Sequence, residues 1–140
     1  MRSIHGSLNQ LQPLIDVSIG APNGGAMHRE TYRALVDTGS TRTCITHRVI
    51  TRFALQARSK LLVASATSGP ERRRAYGYSL GLFCTDEETE HSTLYVIPHE
   101  FIAPWFVDND NFDVLLGMDI LSRGHLTFLP TGAFSFSFSF

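Results

Sequence analysis

The chain has 140 residues, 43% of them apolar, with a formal net charge of −1 and two cysteines. That is one domain's worth of sequence with enough apolar material for a packed core, which excludes a disordered chain, and so small a net charge gives no field favouring nucleic acid or an acidic membrane. Cys44 and Cys84 make no disulfide framework, no apolar run reaches the ~18 residues of a membrane span, and residues 1–12 hold no signal-peptide core, so a soluble cytoplasmic protein is expected.

Residues 1–12 have mixed polarity and predict no more than an edge strand or a loose arm. Residues 14–19 alternate, with Ile15, Val17 and Ile19 on one side, which predicts a half-buried strand. A turn cluster over 20–25 precedes a second strand over 31–36, and the two read as a hairpin. A short strand over 43–45 leads to Thr46, a helix N-cap candidate, and to an amphipathic helix over 47–55 with Val49, Ile50, Phe53 and Ala54 at helical spacing. Strands over 60–66 and 74–82 flank a turn at Thr67-Ser68-Gly69-Pro70, forming a second hairpin. An acidic loop over 86–90 and a strand over 93–97 follow, then an irregular connection over 99–111. A buried strand over 112–116 leads into a short helix over 118–122 stopped by Gly124. A final hairpin pairs 125–129 with 134–140. Its last strand alternates Phe and Ser without exception, so its Phe face needs a cover, either the domain's own core or a second chain.

The stretch that organises the chain is Ala34-Leu35-Val36-Asp37-Thr38-Gly39-Ser40. An apolar strand delivers one carboxylate to a tight turn, and a carboxylate on a rigid strand end is placed more accurately than one on a loop. Gly39 permits close backbone approach, and the Thr38 hydroxyl can brace nearby main chain. The plainer reading makes Asp37 a turn former, and the tripeptide alone arises by chance in roughly a few per cent of chains this long. The apolar run before it and Val114-Leu115-Leu116-Gly117 downstream make chance a poor account.

Asp37-Thr38-Gly39-Ser40, a glycine-containing hairpin after it, and Val114-Leu115-Leu116-Gly117 leading into a short helix together resemble the aspartic proteases, specifically the retropepsin-like family of stand-alone bacterial or cellular type. The resemblance covers most of the chain. It implies an all-β, retropepsin-like (acid protease) closed barrel with a flap hairpin and one or two short helices, as a single domain over residues 1–140. It implies an aspartic endopeptidase in which Asp37, Thr38 and Gly39 form the catalytic loop, while Ser40 and the flap residues Ser68 and Gly69 bind an extended peptide. Leu115, Leu116 and Ile120 would pack behind the loop. Thr38 would brace two loops across a dimer axis, and the tail would take part in the dimer. No cofactor and no metal are implied.

The chain carries one Asp-Thr-Gly loop, and Pro130-Thr131-Gly132 lacks the acid. The second carboxylate must then be Asp37 of another copy, which requires a two-fold homodimer. The implied partners are that second copy and a peptide or protein substrate, with no nucleic acid and no membrane. Viral members pair an acid two positions after the motif Gly with an Arg after the second-signature Gly. Here those positions hold Thr41 and Met118, so both partners of the ion pair are missing together and no charge is stranded. The alternative is a retropepsin-fold dimerisation or peptide-binding module with weak or no catalysis.

Three further patterns read more plainly. Cys44 and His47, spaced as Cys-x-x-His, are too few for a metal site and read as a buried thiol and a helix-surface imidazole. Asp108-Asn109-Asp110 lacks the Gly a calcium loop needs, since Asp113 stands there. Arg72-Arg73-Arg74 reads as a solvated part of the flap rather than a nucleic-acid patch, with a preference for acidic substrate residues as the lesser alternative.

Overall fold

One strand organises the architecture. In a computed structural model, which describes residues 1–22, 27, 30–63 and 69–140, β6 runs over Glu71–Asp86, about 50 Å at strand rise. Its two sides alternate large and small: Tyr78, Leu80 and Leu82 against Ala75, Ser79 and Gly81, all of them buried. Its length leaves long hydrogen-bonding edges on both sides, so β6 pairs with neighbours along its whole length. It pairs antiparallel with β1 (Arg2–Ser7), β2 (Leu14–Gly20), β5 (Ala57–Val63), β7 (Ser92–Val96) and β8 (Phe101–Ala103).

The expected first hairpin forms from β2 and β3 (Tyr32–Val36), in the register Leu14↔Leu35 to Val17↔Tyr32. Ile15, Val17 and Ile19 are all buried, as the alternation requires. The expected turn cluster at 20–25 lies partly outside the described residues. β4 (Cys44–Thr46), α1 (His47–Arg52), β9 (Trp105–Phe106), β10 (Val114–Leu116), α2 (Met118–Leu121), β11 (Gly124–Phe128) and β12 (Ala133–Phe138) complete the chain. The main sheet path is β11-β12-β1-β6-β2-β3-β10-β4-β9. The fold is all-β with two short helices, and among the described residues the sheet is an open path. Here the expected barrel differs: β9 and β11 end the path and do not pair with each other, so the sheet curls without closing.

Several expectations need correction. β1 is neither an edge strand nor an arm, since it lies between β12 and β6, where six residue pairs join it to β12. The connection over 99–111 contains β8 and β9, held by Tyr78↔Phe101 and by the parallel pair Ile45↔Trp105. α1 stops at Arg52, and Ala54 then adopts a left-handed φ of 48°. Thr46 does stand at the N-cap, but its hydroxyl makes no cap bond and instead donates to Asp113 Oδ1 at 2.8 Å. α2 ends on Ser122, and Gly124 begins β11 instead of capping the helix.

The Phe face of the tail is covered by its own chain. Phe134, Phe136 and Phe138 are buried in the main core, where Phe136 and Phe138 stack at 5.5 Å. Among the described residues no helix is long and apolar enough to cross a membrane.

Candidate active site

The apolar run Ala34-Leu35-Val36 becomes a strand because β10, equally apolar, lies beside it in parallel, pairing Val114↔Ala34 and Leu116↔Val36. Parallel pairing makes both strands end at one level. The Asp37 amide continues the ladder one step, donating to the Leu116 carbonyl at 3.0 Å, and so fixes the carboxylate at the strand end. The chain then turns. Ser40 N–H donates to the Asp37 carbonyl at 3.2 Å, and Gly39 N–H donates to Asp37 Oδ1 at 2.9 Å. A charged acceptor makes the second bond a strong one. Asp37 Oδ2 receives no bond from the described residues.

The far side of the turn is tied to the second signature. Met118 N–H donates to the Ser40 carbonyl at 2.7 Å. The Ser40 hydroxyl donates to the Arg42 carbonyl at 2.6 Å. Thr43 presents two donors to one carboxylate: its amide reaches Asp119 Oδ2 at 2.9 Å and its hydroxyl reaches Oδ1 at 2.7 Å. The same hydroxyl accepts from Gly117 N–H at 3.1 Å. From below, the buried Tyr78 hydroxyl donates to the Thr43 carbonyl at 3.0 Å, and burial holds that phenol's pKa well above its ordinary value. Thr41 and Met118 indeed make no ion pair. A hydroxyl–carboxylate link between nearby residues, Thr43 and Asp119, joins the same two segments instead.

Asp37, Gly39, Ser40, Thr41 and Arg42 line a cleft of about 500 Å³. Leu62 and Val63 of β5, Arg73 of β6, and Cys44, Pro104, Trp105, Phe106 and Leu115 complete the lining. Asp37 is the only carboxylate among the lining residues. A second cavity of similar size, about 490 Å³, lies at the other end of β6 around Ser3, His5 and Cys84, with no acid in its lining.

The cleft brings together Asp37, Gly39 and Ser40 of the expected site residues. Thr38 is exposed beside them and has no hydrogen-bond partner among the described residues. Gly69 is exposed, with open space around it, and does not line the cleft. Ser68 lies outside the described residues. Leu116 and Ile120 are buried behind the loop as expected, whereas Leu115 turns its side chain to the cleft.

Arg42, Trp105 and the Thr43–Asp119 pair were not singled out in the sequence, and Arg73 was noted only within the basic run of the flap. Arg42 was open to notice, five positions after Asp37. Trp105 sits in a segment whose polarity pattern shows no regular element, and Thr43 and Asp119 are brought together only by the fold.

Cys44 and His47 do not work together. Burial, with the Asp119 charge adding to it, pushes the Cys44 thiol up to about 11, against the pull of Arg42 and Arg73. His47 lies against the Trp105 ring, 4.8 Å between centroids. A thiol held protonated at neutral pH is a poor nucleophile and a poor ligand. Among the described residues no three His, Cys, Asp or Glu side chains come together in a way that could hold a metal ion. Asp108 Oδ1 accepts from Arg48 N–H at 2.9 Å at the start of α1, 60 positions away, and Asn109 Oδ1 accepts from the amides of its neighbours Asn111 and Phe112.

Comparison with known proteins agrees with this geometry. The family model described as aspartyl protease matches residues 15–120. No curated protein matched the chain. Among solved structures, the chain is similar to a retropepsin-like aspartic protease from Rickettsia conorii, with a TM-score of 0.54 at 15% identity, covering 99% of this chain and 92% of that one.

Proposed function

Because the chain belongs to the aspartyl protease family, we propose that it is an aspartic endopeptidase acting as a homodimer, with one Asp37 from each copy at the two-fold axis. One observation carries the reading. Asp37 ends a strand locked on both sides, one of its oxygens is fixed by Gly39 N–H, the other is open, and no second carboxylate lines its cleft. A site that needs two carboxyls and holds one is completed by a second copy.

Two carboxyls at hydrogen-bond distance cannot both ionise cheaply, so they share a proton and titrate as a pair. The ionised member takes a proton from a water between them, and that water attacks the peptide carbonyl. The protonated member donates to the carbonyl oxygen, and a proton then passes to the leaving nitrogen. Gly39 N–H holds the carboxylate in orientation. Thr38, exposed and without a hydrogen-bond partner among the described residues, braces the two loops against each other. Ser40 binds the peptide backbone, and the hairpin of β5 and β6, with Ser68 and Gly69 at its turn, closes over the substrate as an added strand. We take residues 1–140 as one domain and the free thiols of Cys44 and Cys84 as support for a reducing cytoplasm.

The test is cleavage of a mixed peptide library by wild type and Asp37→Asn from about pH 3 to about pH 8, with molecular mass measured in the same buffers. A dimer whose cleavage falls by about 10³-fold or more in the variant supports the mechanism, a loss comparable to removing a triad member in other proteases. A wild-type dimer that binds peptides and cuts none would transfer the reading to a peptide-binding module.

A further inference from the structure

Resting on the reading of this cleft as a peptide site, we propose that Arg42 and Arg73 select peptides that carry a carboxylate side chain next to the bond held at Asp37. Both arginines line the cleft together with Cys44, and the charges of both act on its thiol. Against them the lining offers one acid, Asp37. In the proposed dimer the two copies of Asp37 share a proton, so the guanidinium groups outnumber the negative charge.

Three arginines outside the cleft are tied to carboxylates, and Arg2 and Arg123 lie over the rings of Tyr95 and Phe140. Arg48, Arg52 and Arg58 pair with Asp113, Glu30 and Glu100. Arg42 pairs with no carboxylate of the described residues. Arg73 rests on the Trp105 ring, its guanidinium carbon 4.9 Å from the centroid, a contact that uses none of its N–H donors. Its Nε is 3.5 Å from the carboxylate of Glu71, whose side chain is 63% exposed. That is a weak, solvated pair, which a substrate carboxylate displaces at small cost. A planar fork held on an aromatic ring is suited to bidentate recognition of Asp or Glu. Leu62, Val63, Phe106 and Leu115 supply apolar lining for the residues on either side. The inferred substrate is an extended, mainly apolar peptide with an acidic residue near the scissile bond.

The experiment separates this inference from the protease reading by measuring binding and cleavage independently. Fluorescein-labelled octapeptide mixtures of Ala, Val, Leu and Phe, with Glu placed at each position in turn, are titrated by anisotropy against the Asp37→Asn chain. Matching Gln mixtures serve as the reference. With Glu at the best position, binding is expected to be about threefold to tenfold tighter than for its Gln match, the range of a partly solvated charged pair. The ratio falls towards one in Arg42→Gln and Arg73→Gln and with rising salt. It rises in Glu71→Gln, a gain that misfolding cannot produce. Equal binding of Glu and Gln mixtures, or a ratio unchanged in both arginine variants, overturns the proposal. Wild type that prefers Glu in binding but cuts nothing leaves the arginine selection standing and removes the protease reading. Wild type that cuts both sets and binds them equally does the reverse.

Discussion

Gly117 shows how tightly the site is built at the scale of a single residue. Its φ of −95° and ψ of −176° are open to any residue, so glycine is not required for conformation. It is required for space. A Cβ there would lie 2.6 Å from the Arg42 carbonyl carbon, 2.7 Å from its oxygen and 2.9 Å from the Ser40 oxygen. All three are backbone atoms of the segment that follows Asp37 and cannot rotate away. Gly117→Ala must push that segment off α2, stretching the Met118 to Ser40 bond and the bond from Gly117 to Thr43. A loss of about 1–3 kcal/mol is expected, as for other overpacked sites, read as a lower urea midpoint at unchanged slope. A midpoint equal to wild type would show that the two segments are not locked together. Because the strain falls on the residues that position Asp37, cleavage should fall further than the stability loss alone explains.

At the scale of elements, β12 supplies a test of where the Phe face belongs. Phe136 is fully buried with no second chain present, on a strand flanked by β11 and β1. Phe136→Ala should cost about 3–5 kcal/mol, as for aromatic truncations in a core, and the loss should be the same at protein concentrations tenfold apart. A loss that vanished at high concentration would mean that a partner chain, not the protomer, covers this face. The same element explains what could be read from the sequence. β3, β10 and the Asp37 loop were legible because each is a local apolar run ended by a characteristic turn. β1 was not, because Arg2-Ser3-Ile4-His5-Gly6-Ser7 has little pattern of its own. Its place is set by pairing with β12, over 120 positions away, which no local window sees. β8 and β9 were hidden for the same reason. Each is too short to show a period, and each is held by a partner distant in sequence. In the site, Asp37, Gly39 and Ser40 could be found from their motif. Arg73 was visible as a charge on the flap, and Asp119 became meaningful only when the fold set it against Thr43.

At the scale of the whole molecule, the proposed dimer makes one site from two chains. Among the described residues the cleft has one carboxylate, and Thr38 stands exposed beside it with no hydrogen-bond partner. The loop-to-helix link is made within the chain by Thr43 and Asp119, so these residues rigidify each half without holding two halves together. The proposed dimer then depends on surface burial between copies, and activity should fall on dilution as dimer is lost. Mixing offers the sharper test. If each active site needs Asp37 from both chains, adding Asp37→Asn protein to a fixed amount of wild type draws wild-type chains into mixed dimers. Activity per wild-type chain should then fall in proportion to the wild-type fraction. A chain that used its own carboxylate alone would keep its activity however much variant was added. That result would remove the shared site while leaving the family and the fold as they stand. A decline that follows the wild-type fraction would place the two copies of Asp37 in one catalytic pair without a structure of the complex.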